Sequence, residues 1–241
     1  MNGFEGYVGI PLWNDQWVND IIFSLLLVLL VIFALVFRAN YRLFMKMVRD
    51  VFYIKERLSL FENVAGNEFV FRNFMTFQAL FLCSLAIYAI ARVYGYIGYT
   101  GIGINLLWIG IIFMAVFLYY LFKQLFYSMA GHIFTQPEKY KFWKTGYNAI
   151  TGFWGVLLYV PVFWLVFVGS WVSVSVWLFA ILYLLYRLIV IYKAIRIFNV
   201  QTEGILYIFL YLCGQEILPL IFLYEGMISL YNFIEKSAIW H

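Results

Sequence analysis

An all-α, polytopic membrane fold follows from three features of this 241-residue sequence: its apolar composition, its apolar stretches of one characteristic length, and the distribution of its basic residues. The chain is 66% hydrophobic and only 12% charged. Its mean hydropathy of +0.90 is far above that of a soluble domain. Crossing about 30 Å of hydrocarbon takes roughly 20 mostly apolar helical residues. Six stretches meet that requirement, at 17–37, 69–91, 104–122, 149–168, 171–192 and 204–224, and together they predict a bundle of about six transmembrane helices forming a single integral membrane domain, 1–241. Aromatic residues make up 23% of the chain, which suits helices anchored by interfacial rings and packed through bulky side chains.

The basic residues set the expected orientation. Arg38, Arg42, Lys46, Arg49, Lys55, Arg57 and Arg72 gather around the connection after the first span. Lys123, Lys139, Lys141 and Lys144 lie between the third and fourth spans, and Arg187, Lys193 and Arg196 lie around the end of the fifth. Of the 16 Lys and Arg residues, only Arg92 and Lys236 fall on the opposite side. The positive-inside bias therefore puts the basic connections in the cytoplasm and both termini outside. Topology thus accounts for the net charge of +4, which gives no reason to expect nucleic-acid binding. The first span has no Lys or Arg ahead of it and a basic block behind it, the reverse of a cleaved signal, so it is expected to stay as an anchor.

The connections have their own patterns. YRLFMKMVRDVFYIKERLSLFEN, residues 41–63, sets Arg42, Lys46 and Arg49 at helical spacing opposite Leu43, Phe44, Met47, Val48 and Val51. This predicts a cytoplasmic amphipathic helix that lies among lipid headgroups or docks on a partner. RVYGYIGYTGIG, with Gly95, Gly98, Gly101 and Gly103, reads as a flexible outer hairpin. MAGHIFTQPEKYKFWKTGY is punctuated by Pro137 and leaves room for a short interfacial helix near 139–143, with His132 as a loop histidine. The fourth span opens GYNAITGFWG, which lines up Gly146, Ala149, Gly152 and Gly155 on a narrow side of the helix, where small residues let helices approach closely in lipid. No internal repeat is evident. Cys83 and Cys213 fall in apolar runs and read as packing residues. With His132 and His241 the only histidines, no metal site and no cofactor is implied.

One stretch breaks the apolar pattern. YLCGQEILPLIFLYEG, 211–226, carries Gln215, Glu216 and Pro219 inside the sixth span. Counting from 204 at ~1.5 Å per residue, Glu216 lies about 18 Å deep. An ionised acid there costs several kcal/mol, so it must be protonated, paired, hydrogen-bonded or facing water. Gln78 and Ser84 on the second span, about 14 and 22 Å deep by the same count, bracket it and are its expected partners. Pro219 removes the donor that would bond to the carbonyl of Gln215, leaving a second polar defect beside the acid. Two readings stay open: a protonatable site, or a neutral acid that fixes helix register.

NEFVFRNFMTFQALFLCSL (67–85), TGFWGVLLYVPVFWLVFV (151–168) and LYLCGQEILPLIFLYEGM (210–227) resemble domain-of-unknown-function family 4271, uncharacterised multi-pass inner-membrane proteins of Bacteroidota-type bacteria. The resemblance covers most of the chain, and its most specific part is the LYLC segment running into EILPL. It implies that Glu216 and Pro219 belong to the family pattern, and that the protein resides in the inner membrane of a two-membrane bacterium. It implies no reaction.

The residues themselves display no paired acidic metal ligands, no phosphate-binding glycine loop and no serine nucleophile turn. The expectation is therefore a non-enzymatic accessory or scaffold subunit of an inner-membrane complex, with envelope assembly or protein export as its setting and the bilayer and other membrane proteins as partners. The alternative is a proton- or ion-coupled transporter, or a lipid-handling protein, that uses Glu216.

Overall fold

The computed structural model describes residues 14–52, 66–97, 102–134, 137–168 and 171–198, with Ile221, Glu225, Ile228 and Ser229. The described residues are helical, in seven elements: α1 (Asn14–Ala39), α2 (Tyr41–Phe52), α3 (Gly66–Val93), α4 (Ile102–Phe134), α5 (Pro137–Leu157), α6 (Tyr159–Phe167) and α7 (Val172–Phe198). Five helices are long and apolar enough to cross a bilayer, over Val18–Ala39, Asn67–Val93, Gly103–Ser128, Trp143–Phe167 and Val172–Ala194. Each overlaps one of the first five apolar stretches, and the chain is a multi-pass membrane protein. The sixth stretch, 204–224, lies outside the described residues.

The helix boundaries have local causes. α1 gives way to α2 at Asn40, where apolar sequence turns basic. The Asn40 side-chain amide donates to the Val36 carbonyl at 3.2 Å, and its backbone N–H is shared between the carbonyls of Val36 and Phe37. A short amide side chain competing for the last carbonyls of a helix is a common way to end one. α3 stops at Gly95, whose φ of +76° is open to glycine. Gly95 N–H bonds to the Arg92 carbonyl and Tyr96 N–H to the Ala91 carbonyl, the paired bonds of a Schellman motif. The start of the glycine-rich hairpin is thus a defined helix stop.

Pro137 opens α5, where its missing N–H costs nothing. No breaker follows, so 139–143 joins the fourth span in one helix instead of forming a separate interfacial piece. His132 falls in the last turn of α4 and not in a loop. The break between α5 and α6 at Leu158 precedes Pro161, which cannot donate to the carbonyl four residues back.

The chain falls into two compact units, residues 1–114 with 148–186, and 115–147 with 187–241. α3 forms the centre of the first unit: 61% of its most apolar stretch is buried, against 17% for α1. α3 and the α5–α6 segment run in the same direction, since Gly152 meets Met75 and Gly155 meets Ala79. α1 runs opposite to both. Phe23 packs edge-on to Phe167 and Phe33 packs on Tyr159, while Arg92 Nη1 donates to Asn19 Oδ1 at 2.8 Å. Residues 102–114 of α4 oppose α3 through Phe77–Phe113 and a 3.1 Å bond from Tyr88 Oη to Asn105 Oδ1. Residues 172–186 of α7 oppose α5–α6: Trp154 stacks on Tyr186, and Ser175 Oγ donates to the Pro161 carbonyl at 2.7 Å. Alternating direction is the pattern that successive membrane crossings produce.

Among the described glycines, Gly155 has the tightest surroundings. A Cβ there would lie 2.5 Å from the Cβ and 2.7 Å from the Cα of Ala79, so the α3 backbone itself would have to move. Gly155→Ala should therefore cost about 1–3 kcal/mol, the usual penalty for overpacking, read as a lower melting temperature in detergent. Gly110→Ala, with nothing within 4 Å of its added Cβ, should match wild type or melt slightly higher. Equal effects of the two substitutions would refute this packing.

Candidate functional site

Charged residues on α2 and α3 assemble into one network in the first unit. Glu68 and Arg72 are one turn apart on α3, as Lys46 and Asp50 are on α2. Arg72 donates to Glu68 Oε1 from Nε at 3.0 Å and from Nη2 at 2.7 Å, and Nη2 also reaches Asp50 Oδ2 at 2.9 Å. Lys46 Nζ takes the other Glu68 oxygen at 3.1 Å. The Arg72 and Glu68 side chains are each 9% exposed, while Lys46 and Asp50 are 33% and 28% exposed. A nearly dry pair is thus flanked by wetter partners that complete its hydrogen bonding. On the same helix, Met47 and Val51 are buried, and Met47 Sδ lies 3.3 Å from where a Cβ on Gly152 would be. The network and these apolar contacts fasten α2 to the bundle.

The three basic residues expected to form one surface therefore separate. Lys46 is turned inward onto Glu68, whereas Arg42 and Arg49 are exposed. Residues 53–63 of the expected segment lie outside the described residues.

The intramembrane polar residues also divide. Glu216, Gln215 and Pro219 lie outside the described residues. Ser84 is buried and donates to the Phe81 carbonyl of its own helix at 2.7 Å. Gln78 is fully buried, and neither its Oε1 nor its Nε2 has a hydrogen-bond partner among the described residues. The indole N–H of Trp154 and the hydroxyl of Tyr159 are also buried with no partner among those residues. Gln78 and Trp154 immediately precede Ala79 and Gly155, so two orphaned groups stand at the level where the helices approach most closely.

The second unit holds a cluster that the sequence did not single out. Lys123, Arg187 and Lys193 are all buried, at 2%, 8% and 4% exposure. The Lys123 ammonium lies 5.7 Å from the ring centre of Tyr127 and 5.8 Å from that of Tyr147, within cation–π range. Arg187 Nη2 donates to Tyr119 Oη at 2.6 Å. Tyr147 stacks on Trp143 and Tyr120. Gly146, expected as a helix-packing residue beside Gly152 and Gly155, here makes room for the end of the Lys193 side chain: a Cβ would meet Lys193 Cε and Nζ at 2.8 Å. The sequence signal was present in Tyr119, Lys123 and Tyr127 at intervals of four, but positive-inside topology already accounted for the lysine. Among the described residues, no three His, Cys, Asp or Glu side chains converge as a metal site would require.

Removing Arg72 takes away the cation that bonds twice to the nearly dry Glu68 carboxylate and leaves it with Lys46 at the wet margin. Arg72→Met should therefore destabilise the protein by about 3 kcal/mol, the low end for breaking a buried pair. Lys46→Met, at the wet margin, should cost about 1 kcal/mol or less. Denaturation of the two variants in detergent checks the ranking, and similar losses would overturn it.

The family model described as Domain of unknown function (DUF4271) matches residues 22–227. No curated protein and no solved structure matches the chain. A match over most of its length means that this chain belongs to the DUF4271 family.

Proposed function

We propose that this protein is a non-enzymatic accessory or scaffold subunit of a membrane complex, in the inner membrane of a two-membrane bacterium such as a member of the Bacteroidota. The basic connections then face the cytoplasm and both termini the periplasm, with envelope assembly or protein export as the setting. The observation that carries this reading is the fastening of α2. Arg72, Glu68, Lys46 and Asp50 hold the helix in place, so Arg42 and Arg49, one heptad apart, are presented on a fixed element. A preorganised cationic face suits an acidic partner surface, because little side-chain and helix ordering remains to be done on binding. Affinity purification of the tagged chain from its own membranes under mild detergent tests the proposal. Arg42→Glu with Arg49→Glu should release a stoichiometric partner without loss of protein abundance. A partner retained by the double variant would rule out this face.

Gln78 favours a second reading. It is a fully buried primary amide with no partner among the described residues; such a group costs a few kcal/mol when unsatisfied, and buried polar groups in membrane helices tend to line functional sites. Here the protein would be a proton- or ion-coupled transporter or a lipid-handling protein. Glu216 would be its protonatable group, Gln78 would bind the polar species, and Gln215 and the Pro219 defect would contribute further polar groups. Gln78→Leu separates the two roles. It should keep or raise the melting temperature, since the orphaned amide is gone, yet abolish transport or growth complementation. Unchanged complementation would exclude Gln78 from any functional site.

A further inference from the structure

The bend between α1 and α2 encloses an open cavity of about 510 Å³ lined by Arg38, Asn40, Tyr41, Arg42, Asn67 and Glu68, among others. Arg38 and Arg42 are exposed and form no ion pair or hydrogen bond with any described residue. Glu68, the one acid among the described residues that line the cavity, is already committed to Arg72 and Lys46, so that described lining keeps the charge of Arg38 and Arg42. Its position is set by α1, whose apolar span ends at Ala39.

The residues leading into the cavity form a stripe. Val28, Val31 and Leu35 are 53%, 46% and 63% exposed, and their spacing of three and four residues continues to Arg38 in the last turn of α1, while Arg42 lies beyond the break at Asn40 and joins Arg38 through the cavity both line. On a helix that spacing is one face. An apolar strip about 10 Å tall thus runs toward Arg38 at the end of the span, with Arg42 lining the same cavity. Guanidinium groups match phosphate oxygens in charge and fork geometry.

We infer that the α1–α2 elbow is a binding site for an anionic phospholipid, its phosphate held by Arg38 and Arg42 and an acyl chain laid along Val28, Val31 and Leu35. Phosphate is the shared chemistry of a lipid headgroup and a free anion. The adjoining apolar strip favours the lipid, because a soluble anion makes no use of it. The site shares Arg42 with the proposed partner face, but Arg38 belongs to the lipid site alone and Arg49 to the partner face alone, so substitutions at those two positions test the readings separately.

Native mass spectrometry of the delipidated full-length protein, titrated with phosphatidylglycerol, phosphatidylcholine or inorganic phosphate, tests the site. Wild type should retain phosphatidylglycerol in preference to phosphatidylcholine. Arg38→Gln with Arg42→Gln should weaken that binding about tenfold or more, the scale of losing charge-assisted hydrogen bonds. Arg49→Gln should bind as wild type does. Both arginines are exposed and unengaged, so the double variant should melt as wild type does, which confirms that it is folded. Equal retention of the two lipids, phosphatidylglycerol binding unaffected by the double substitution, or inorganic phosphate displacing the lipid at comparable concentration would each overturn the assignment. So would capture of an acidic protein at Arg38 and Arg42 to the exclusion of lipid.

Discussion

Hydrocarbon supplies no hydrogen-bond partner, so every polar group that a membrane helix carries inward must be satisfied by the protein itself. That constraint governs this structure more than any apolar contact does, because lipid tails are as apolar as the side chains packed against them. It explains why Arg72 is never presented alone. Two carboxylates converge on its guanidinium, and the second oxygen of Glu68 is taken by Lys46. Burying a lone ion pair rarely repays its desolvation. Here the pair lies at the start of a spanning helix with two partly wetted residues beside it, so much of the desolvation penalty is avoided. The return is positional: α2 takes one place on the bundle.

Close packing depends on the same economy of polar groups. Where α3 meets α5, Gly152 and Gly155 face Met75 and Ala79, and the backbones come near enough for dispersion contacts to replace the hydrophobic drive that lipid removes. Gly146, about 120° around α5 from Gly152, lies on a different side of the helix from the one expected and serves a charge instead, accommodating the ammonium end of Lys193. One repeated residue type thus performs two tasks along a single helix, and its neighbours decide which.

This divides what could be read in the sequence from what could not. Five spanning helices were legible because apolar length is a one-dimensional property, and α2 was legible because helical periodicity is local. Pairing is neither. Arg42, Lys46 and Arg49 share one pattern, yet Lys46 turns inward because Glu68 waits on another helix, twenty-two residues away in sequence. Lys123, Arg187 and Lys193 looked like span-flanking charges, and only the fold shows them buried, Lys123 and Arg187 against tyrosines and Lys193 beside Gly146. The separate helix expected near 139–143 failed for a simpler reason. Pro137 punctuates the sequence, but proline at a first helical position starts a helix as readily as it ends one.

Ser84 and Gln78 show how the constraint points toward function. Both are buried polar residues on α3. A serine hydroxyl reaches back to its own helix, and Ser84 does so at the Phe81 carbonyl, so it makes no demand on its surroundings. A glutamine amide is too long and carries too many donors and acceptors to be satisfied that way, and Gln78 is satisfied by nothing among the described residues. Leucine would fill much the same space without the desolvation penalty. Packing among the described residues therefore leaves the Gln78 amide unexplained, on the most buried helix of its unit.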